Sequence, residues 1–195
     1  EKNEFPSIPK INTEVNVLMP YNEFAECMPM LDAVKSSDDS RAILTGICIG
    51  INDKKEFCMV STDTHRLIKY TPKTCMHEFN DNYKNACVPS ARLYQFIKSL
   101  KKFKTNPTLH AELSKNQIKI SVEHQDLKIE WLSRLIEGKY PNYEKVIPTD
   151  FIMQSNIDNE CMKKAIKQSQ TIWKDNRNRL EFKFTEKDIY LACHS

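Results

Sequence analysis

Three stretches of this chain place apolar residues on one face of a helix, and they do so with the same spacing. Phe24, Cys27, Met28, Leu31 and Val34 follow the i, i+3, i+4, i+7, i+10 pattern of an amphipathic helix. The pattern recurs at Leu93, Phe96, Ile97, Leu100 and Phe103, then at Met162, Ala165, Ile166, Ser169 and Ile172, at a constant offset along the chain. A short strand-like run precedes each helix: VNVLM, NACVP and DFIMQS. Residues that cap or open helices mark the starts, namely Pro20 with Asn22, Pro89 with Ser90, and Asn156 with Asp158. A hairpin signal follows each helix. The first is ILTGICIGI and FCMVST around NDKKE, the second TLHAEL and IKISV around SKNQ, the third LEFKFT and IYLACH around EKD. The pattern predicts one unit of strand, helix and antiparallel strands, used three times.

Such units predict an α+β fold, because antiparallel strands bury one face and the helix stripe is available to cover it. Periodicity alone fits any repeat-built α+β protein. Two units complete one domain and the third stands without a partner, so the chain reads as part of a longer protein. With 195 residues and 40% hydrophobic content, one or two domains can bury roughly 70% of the unfolded surface. The longest apolar run, residues 43–51, is too short to cross a bilayer, and EKNEFPS lacks the layout of a signal peptide, which points to the cytosol. Seven cysteines (27, 48, 58, 75, 87, 161 and 193) are scattered without a CxxC pair. That spacing suits reduced, buried thiols and neither a disulfide frame nor a metal site.

Charge separates the helices. The net charge of +3 says little by itself, but its distribution says more. The second helix carries Arg92, Lys98, Lys101 and Lys102 with no acid between them, and the third carries Lys163, Lys164, Lys167 and Lys174 against Glu160 and Asp175. The first carries Glu23, Glu26 and Asp32, with Pro29 inside it, which predicts a bend. A lysine-rich face is in most proteins simply solvated. Two such faces at equivalent places of a repeat point to a shared surface for a polyanion.

Catalytic patterns are scarce. The three glycines, Gly46, Gly50 and Gly138, exclude phosphate loops of the GxxxxGK or GxGxxG kind and, with them, most nucleotide enzymes. HExxH and GxSxG are absent from the sequence. One polar cluster, Ser61 to Leu67, lies between strand-like runs. Asp63 and His65 within it are spaced to orient each other for acid–base work, or the cluster is a strand junction that satisfies its own backbone. Residues 137–148, EGKYPNYEKVIP, fit neither helix nor regular strand and carry no obvious catalytic group.

STDTHRLIKY at 61–70 resembles the TDGHRLA signature in the middle domain of the bacterial sliding clamps, the beta subunits of DNA polymerase III. EGKYPNYEKVIP resembles that family's GKFPDYxRVxP segment, at about the family's separation. The resemblance covers nearly the whole chain: 1–11 as the end of the first clamp domain, with Phe5 and Pro6 in its last loop, 12–148 as a complete middle domain, and 149–195 as the first half of the third. It implies the DNA-clamp fold, with helices on one face of curved antiparallel sheets, and a processivity factor without catalytic activity or cofactor. Family clamps are head-to-tail homodimers whose domains form a ring, with helices lining a hole around duplex DNA.

The resemblance also implies a surface pocket. There the DNA polymerase III catalytic subunit, the clamp loader and repair proteins insert a short motif of glutamine and apolar residues. Carried over residue by residue, the pocket comprises Leu44, Thr62, Thr64, His65, Arg66, Leu67, Pro141, Lys145 and Val146. The face toward DNA comprises Arg92, Lys98, Lys101, Lys102, Lys163, Lys164, Lys167 and Lys174. This chain departs from the pattern at Thr64, where the family usually has glycine, and at Lys145, which stands for arginine. Ala42 and Ile43 stand where some clamps present tyrosines to DNA. The expectation is a cytoplasmic replication clamp with no membrane association. A clamp-like module that recruits partners without encircling DNA, and a hydrolase using Asp63 and His65, are the alternatives.

Overall fold

Alternation decides the first element. In β1 (Val15–Pro20), Val15, Val17 and Met19 are buried while Asn16, Leu18 and Pro20 are half-exposed, as a strand with one core face requires. The fold was obtained as a computed structural model, and residues 11–80, 83, 85–103, 105–172, 180–185 and 187–193 are described. Residues 1–10 and Lys174, which figure in the expectations above, lie outside the described residues. The chain divides into two compact units, Glu1–Asn142 and Tyr143–Ser195.

In the first unit, β1 leads into α1 (Tyr21–Val34), followed by β2 (Gly46–Ile51), β3 (Phe57–Thr62), β4 (Leu67–Tyr70) and β5 (Met76–Phe79). The second repeat supplies β6 (Asn85–Pro89), α2 (Ser90–Ser99), β7 (Thr108–Leu113), β8 (Gln117–His124) and β9 (Leu127–Arg134). The two repeats exchange strands. β1, which leads α1, pairs with β7, the first strand after α2; β6, which leads α2, pairs with β2, the first strand after α1. The result is a five-stranded sheet, β5-β1-β7-β8-β9, and a four-stranded sheet, β4-β3-β2-β6, with the named neighbours antiparallel.

The exchange ties the two repeats into one folding unit. The inner faces of both sheets and the apolar stripes of both helices form one core, which includes Val17, Met19, Phe24, Met28, Leu31, Ile47, Met59, Leu93, Ile97 and Leu100. Burying each such side chain contributes roughly 1.5–3 kcal/mol against the entropy of ordering it. The start of α1 is capped from elsewhere in the fold: the amide of Tyr21 donates to the Pro107 carbonyl at 2.9 Å, and that of Asn22 to Asn106 Oδ1 at 2.8 Å. Ser90, opening α2, donates its hydroxyl to Asp32 at the end of α1 at 2.7 Å. Pro29 lies on the exposed side of α1, which runs on past it to Val34.

The second unit holds α3 (Asn159–Ile172) and a hairpin of β10 (Leu180–Phe184) and β11 (Ile189–Cys193). Asp158 caps α3, its Oδ1 accepting the amide of Cys161 at 2.8 Å. Met162, Ala165 and Ile166 of the expected stripe are half-buried and Ser169 is buried. The expected strand DFIMQS is a correction: residues 151–158 form no strand. Phe151 and Ile152 are exposed, and no strand among the described residues pairs with this run. Alternation without a partner ladder does not make a strand.

Candidate functional site

Thr62 ends β3 and Leu67 opens β4, opposite each other in the register, so the polar cluster is the connection between two paired strands. Its own side chains tie it. The Thr62 hydroxyl donates to the Arg66 carbonyl at 2.6 Å and accepts the Thr64 amide at 3.1 Å. Asp63 Oδ1 accepts the amides of His65 at 3.0 Å and Arg66 at 2.8 Å, while Oδ2 receives the Arg66 guanidinium at 3.0 and 2.8 Å. Both oxygens of Asp63 are thereby engaged in holding the turn. This overturns the acid–base alternative, because the carboxylate orients backbone amides and Arg66, not the His65 ring.

The same geometry sets a pH response. Hydrogen bonding from the Arg66 side chain, aided by the backbone amides of Arg66 and His65, holds the Asp63 carboxyl at about 2, below the ordinary 3.8. A depressed carboxylate contributes stability that is present above the unfolded value and is lost as pH falls through the folded one. The turn should therefore be intact at pH 5 and loosen between about 4 and 2. Arg66 is 64% exposed, so solvent screening keeps the energetic effect small. The Arg66 Nε–H resonance, followed by NMR, should shift over that window, and Asp63→Asn should remove the shift.

Thr64 adopts φ 79°, a left-handed conformation. For an L-residue this conformation costs roughly 1–2 kcal/mol, and β-branching adds to the crowding. The bonds of Thr62 and Asp63 impose it, as they fix the backbone on either side. Thr64→Gly should raise unfolding stability by about 0.5–1 kcal/mol once the greater freedom of glycine in the unfolded chain is offset. Urea denaturation would read the gain, and a loss of stability would contradict the strain.

The second segment is a strap laid across three strands. The Ile136 amide donates to the Cys87 carbonyl of β6 at 2.8 Å, Gly138 packs on Ile43 just before β2, and the Tyr140 hydroxyl donates to the Val60 carbonyl of β3 at 3.5 Å. Gly46, at the start of β2, makes room for it. A Cβ there would lie 2.8 Å from Ile136 Cδ1 and 2.7 Å from the Val88 carbonyl oxygen. Gly138 has φ +128°, a region that side chains rarely adopt. Tyr140 is only 4% exposed, and burial pushes its phenol pKa up. Pro141, the next residue, is exposed.

The strap brings the GKYPN segment to β3, the strand whose end carries the 62–66 turn. Leu44 and Thr62 are buried, Leu67 is half-buried, and Thr64, His65 and Arg66 are exposed. Lys145 and Val146 belong to the second unit, on a short 3-10 turn at Tyr143–Val146, and both are exposed. Sequence reasoning missed Tyr140 as the anchor. Its signal is an aromatic residue between Gly138 and Pro141 in an otherwise charged loop.

The basic candidates are on the surface. Arg92, Lys98, Lys101 and Lys102 are exposed, and no described carboxylate forms a salt bridge with them. In the second unit Lys163, Lys164 and Lys167 are exposed, with Lys163 paired to Glu160 at 3.0 Å. The acids of α1 have internal roles. Glu23 accepts the amides of Lys73 and Thr74, each at 3.1 Å, and Asp32 binds Ser90 and pairs with Lys35 at 2.9 Å. Only Glu26 of the three is fully exposed. Cys27, Cys48, Cys58 and Cys87 are buried and form no disulfide, and burial pushes Cys27 and Cys87 up to about 12. Among the described residues no cluster of three or more potential ligands could hold a metal ion, and no helix is long and apolar enough to cross a membrane.

Comparison with known proteins places these features in context. The family profile described as DNA polymerase III beta subunit, central domain, matches residues 18–142. The beta sliding clamp of Streptococcus pneumoniae is 28% identical over 151 residues, covering 77% of this chain and 38% of that protein. The beta sliding clamp of Rickettsia felis is 31% identical over 147 residues, covering 74% and 36%. Among solved structures, the beta subunit of DNA polymerase from Streptococcus pyogenes superposes with a TM-score of 0.77 at 23% identity, over 100% of this chain and 50% of that one. The Helicobacter pylori beta clamp bound to a DNA ligase peptide gives 0.75 at 18% identity, over 98% and 52%. The chain thus spans about half the length of those solved structures and less than half of those relatives. At these identities the superpositions show the fold.

Proposed function

This chain belongs to the family of DNA polymerase III beta subunits, the sliding clamps, and we propose that it forms part of a cytoplasmic replication clamp with no catalytic activity. Residues 12–148 act as a middle domain and 149–195 as the first half of a third, in a homodimeric ring around duplex DNA. The exposed lysines meet phosphates without reading sequence, so the ring slides. A docking site on the first unit, built from Leu44, the 62–67 turn and Pro141, takes a short peptide containing glutamine and apolar residues. Polymerase, clamp loader and repair proteins tethered there are held at high effective concentration near the primer end.

The observation that carries the docking site is the strap. Tyr140 is buried against β3, so Pro141 is displayed next to the strand that leads into the turn. Proline and a buried anchor hold the loop without further loss of entropy on binding, which suits a linear peptide ligand. The Helicobacter pylori clamp of the same fold is a precedent for a peptide ligand. The exposed Arg92 and Lys98 of α2 and Lys101 and Lys102 of the turn that follows it, with the internal roles of Glu23 and Asp32, support DNA contact over recruitment alone.

Fluorescence anisotropy with a labelled peptide of this composition tests the site. Leu67→Ala and Pro141→Ala should each weaken binding about tenfold, the loss expected for an apolar anchor. Unchanged affinity in both variants would remove the docking site from this face.

A further inference from the structure

Thr64 is the one left-handed residue within the proposed docking site, and it is β-branched. Glycine would sit in this conformation freely, yet the chain keeps a threonine there and holds it by bonds on both sides. The consequence is positional. Relative to glycine, threonine adds a branched CH(OH)CH3 group at an exposed turn, and its branched Cβ restricts χ1, so the group cannot swing aside as an unbranched side chain would. A strained backbone whose geometry is imposed by Thr62 and Asp63 does not relax to make room either.

Resting on the docking reading above, we propose that Thr64 is a selectivity residue of that site: its fixed side chain narrows the rim, admitting small side chains of the partner peptide and turning away bulky ones. The hydroxyl adds a second element of choice. It is exposed and able to donate to or accept from a polar group of the peptide, which glycine cannot do. Partners of this protein would then carry a small or polar residue where the peptide passes the turn. Selectivity of this kind works by exclusion as much as by attraction.

The test uses labelled peptides with one glutamine and a set of apolar positions, each position made in turn as Ala, Leu or Phe. They are titrated into the full chain and into Thr64→Gly and Thr64→Ser. At one position Thr64→Gly should tighten binding of the Phe and Leu peptides about tenfold while leaving the Ala peptide within about twofold. Thr64→Ser, smaller and without β-branching at a methyl, should fall between. Equal Phe-to-Ala ratios in all three proteins at every position would overturn the selectivity role and leave docking standing. No saturable binding of any peptide to any of the proteins would overturn docking, and this role with it. Thr64→Gly relieves strain, so misfolding does not confound the comparison.

Discussion

Tyr140→Ala should lower the unfolding free energy by about 3 kcal/mol, the cost of removing a buried aromatic ring whose site cannot fully collapse. It should also weaken peptide binding about tenfold, because Pro141 loses the anchor that presents it and binding must then order the loop. Tyr140→Phe separates the two causes. It keeps the ring and removes only a 3.5 Å hydrogen bond to the Val60 carbonyl, so it should cost about 0.5–1 kcal/mol and leave peptide affinity nearly intact. Chemical denaturation and anisotropy on the same samples give both numbers. Equal losses in the Phe and Ala variants would mean that the hydroxyl, not the ring, holds the strap.

Reversing Lys98 and Lys102 to glutamate in the full-length protein should weaken its hold on DNA substantially at low salt and less as salt rises. Each phosphate contact contributes about −0.9 to the slope of log K against log salt, so losing two should make that slope shallower by about 2. Both side chains are exposed, on α2 and on the 3-10 turn that follows it. The substitutions should therefore leave stability within about 0.5 kcal/mol. A parallel shift with no change of slope would place these lysines away from the phosphates.

The repeat was legible because its signals are local. Helix stripes, caps and tight hairpins depend on neighbours in sequence, and α1, α2, α3 and the hairpins β2–β3, β7–β8 and β10–β11 stand where the spacing puts them. Strands whose identity depends on a distant partner were less legible. DFIMQS looks like the leading strands β1 and β6 but lacks the ladder each of those makes with the other repeat. β5 is only four residues long, and β9 mixes Lys128 and Glu130 with apolar residues on a sheet edge. At the site, the two family-like segments could be read directly. The contact that ties the second to the strand leading into the first could not, because Tyr140 and Val60 are far apart in sequence. The left-handed backbone of Thr64 was also hidden, as threonine is a residue that pattern reading assigns to extended backbone.

The most direct measurement is topological. The full-length protein, loaded by a clamp loader onto a nicked circular plasmid, should stay bound through gel filtration at high salt and be lost when a single restriction cut linearises the DNA. A ring that slides has no other reason to distinguish the two molecules, whose sequence and charge are the same. Equal retention on circular and linear DNA, or equal loss from both, would contradict a clamp that encircles the duplex.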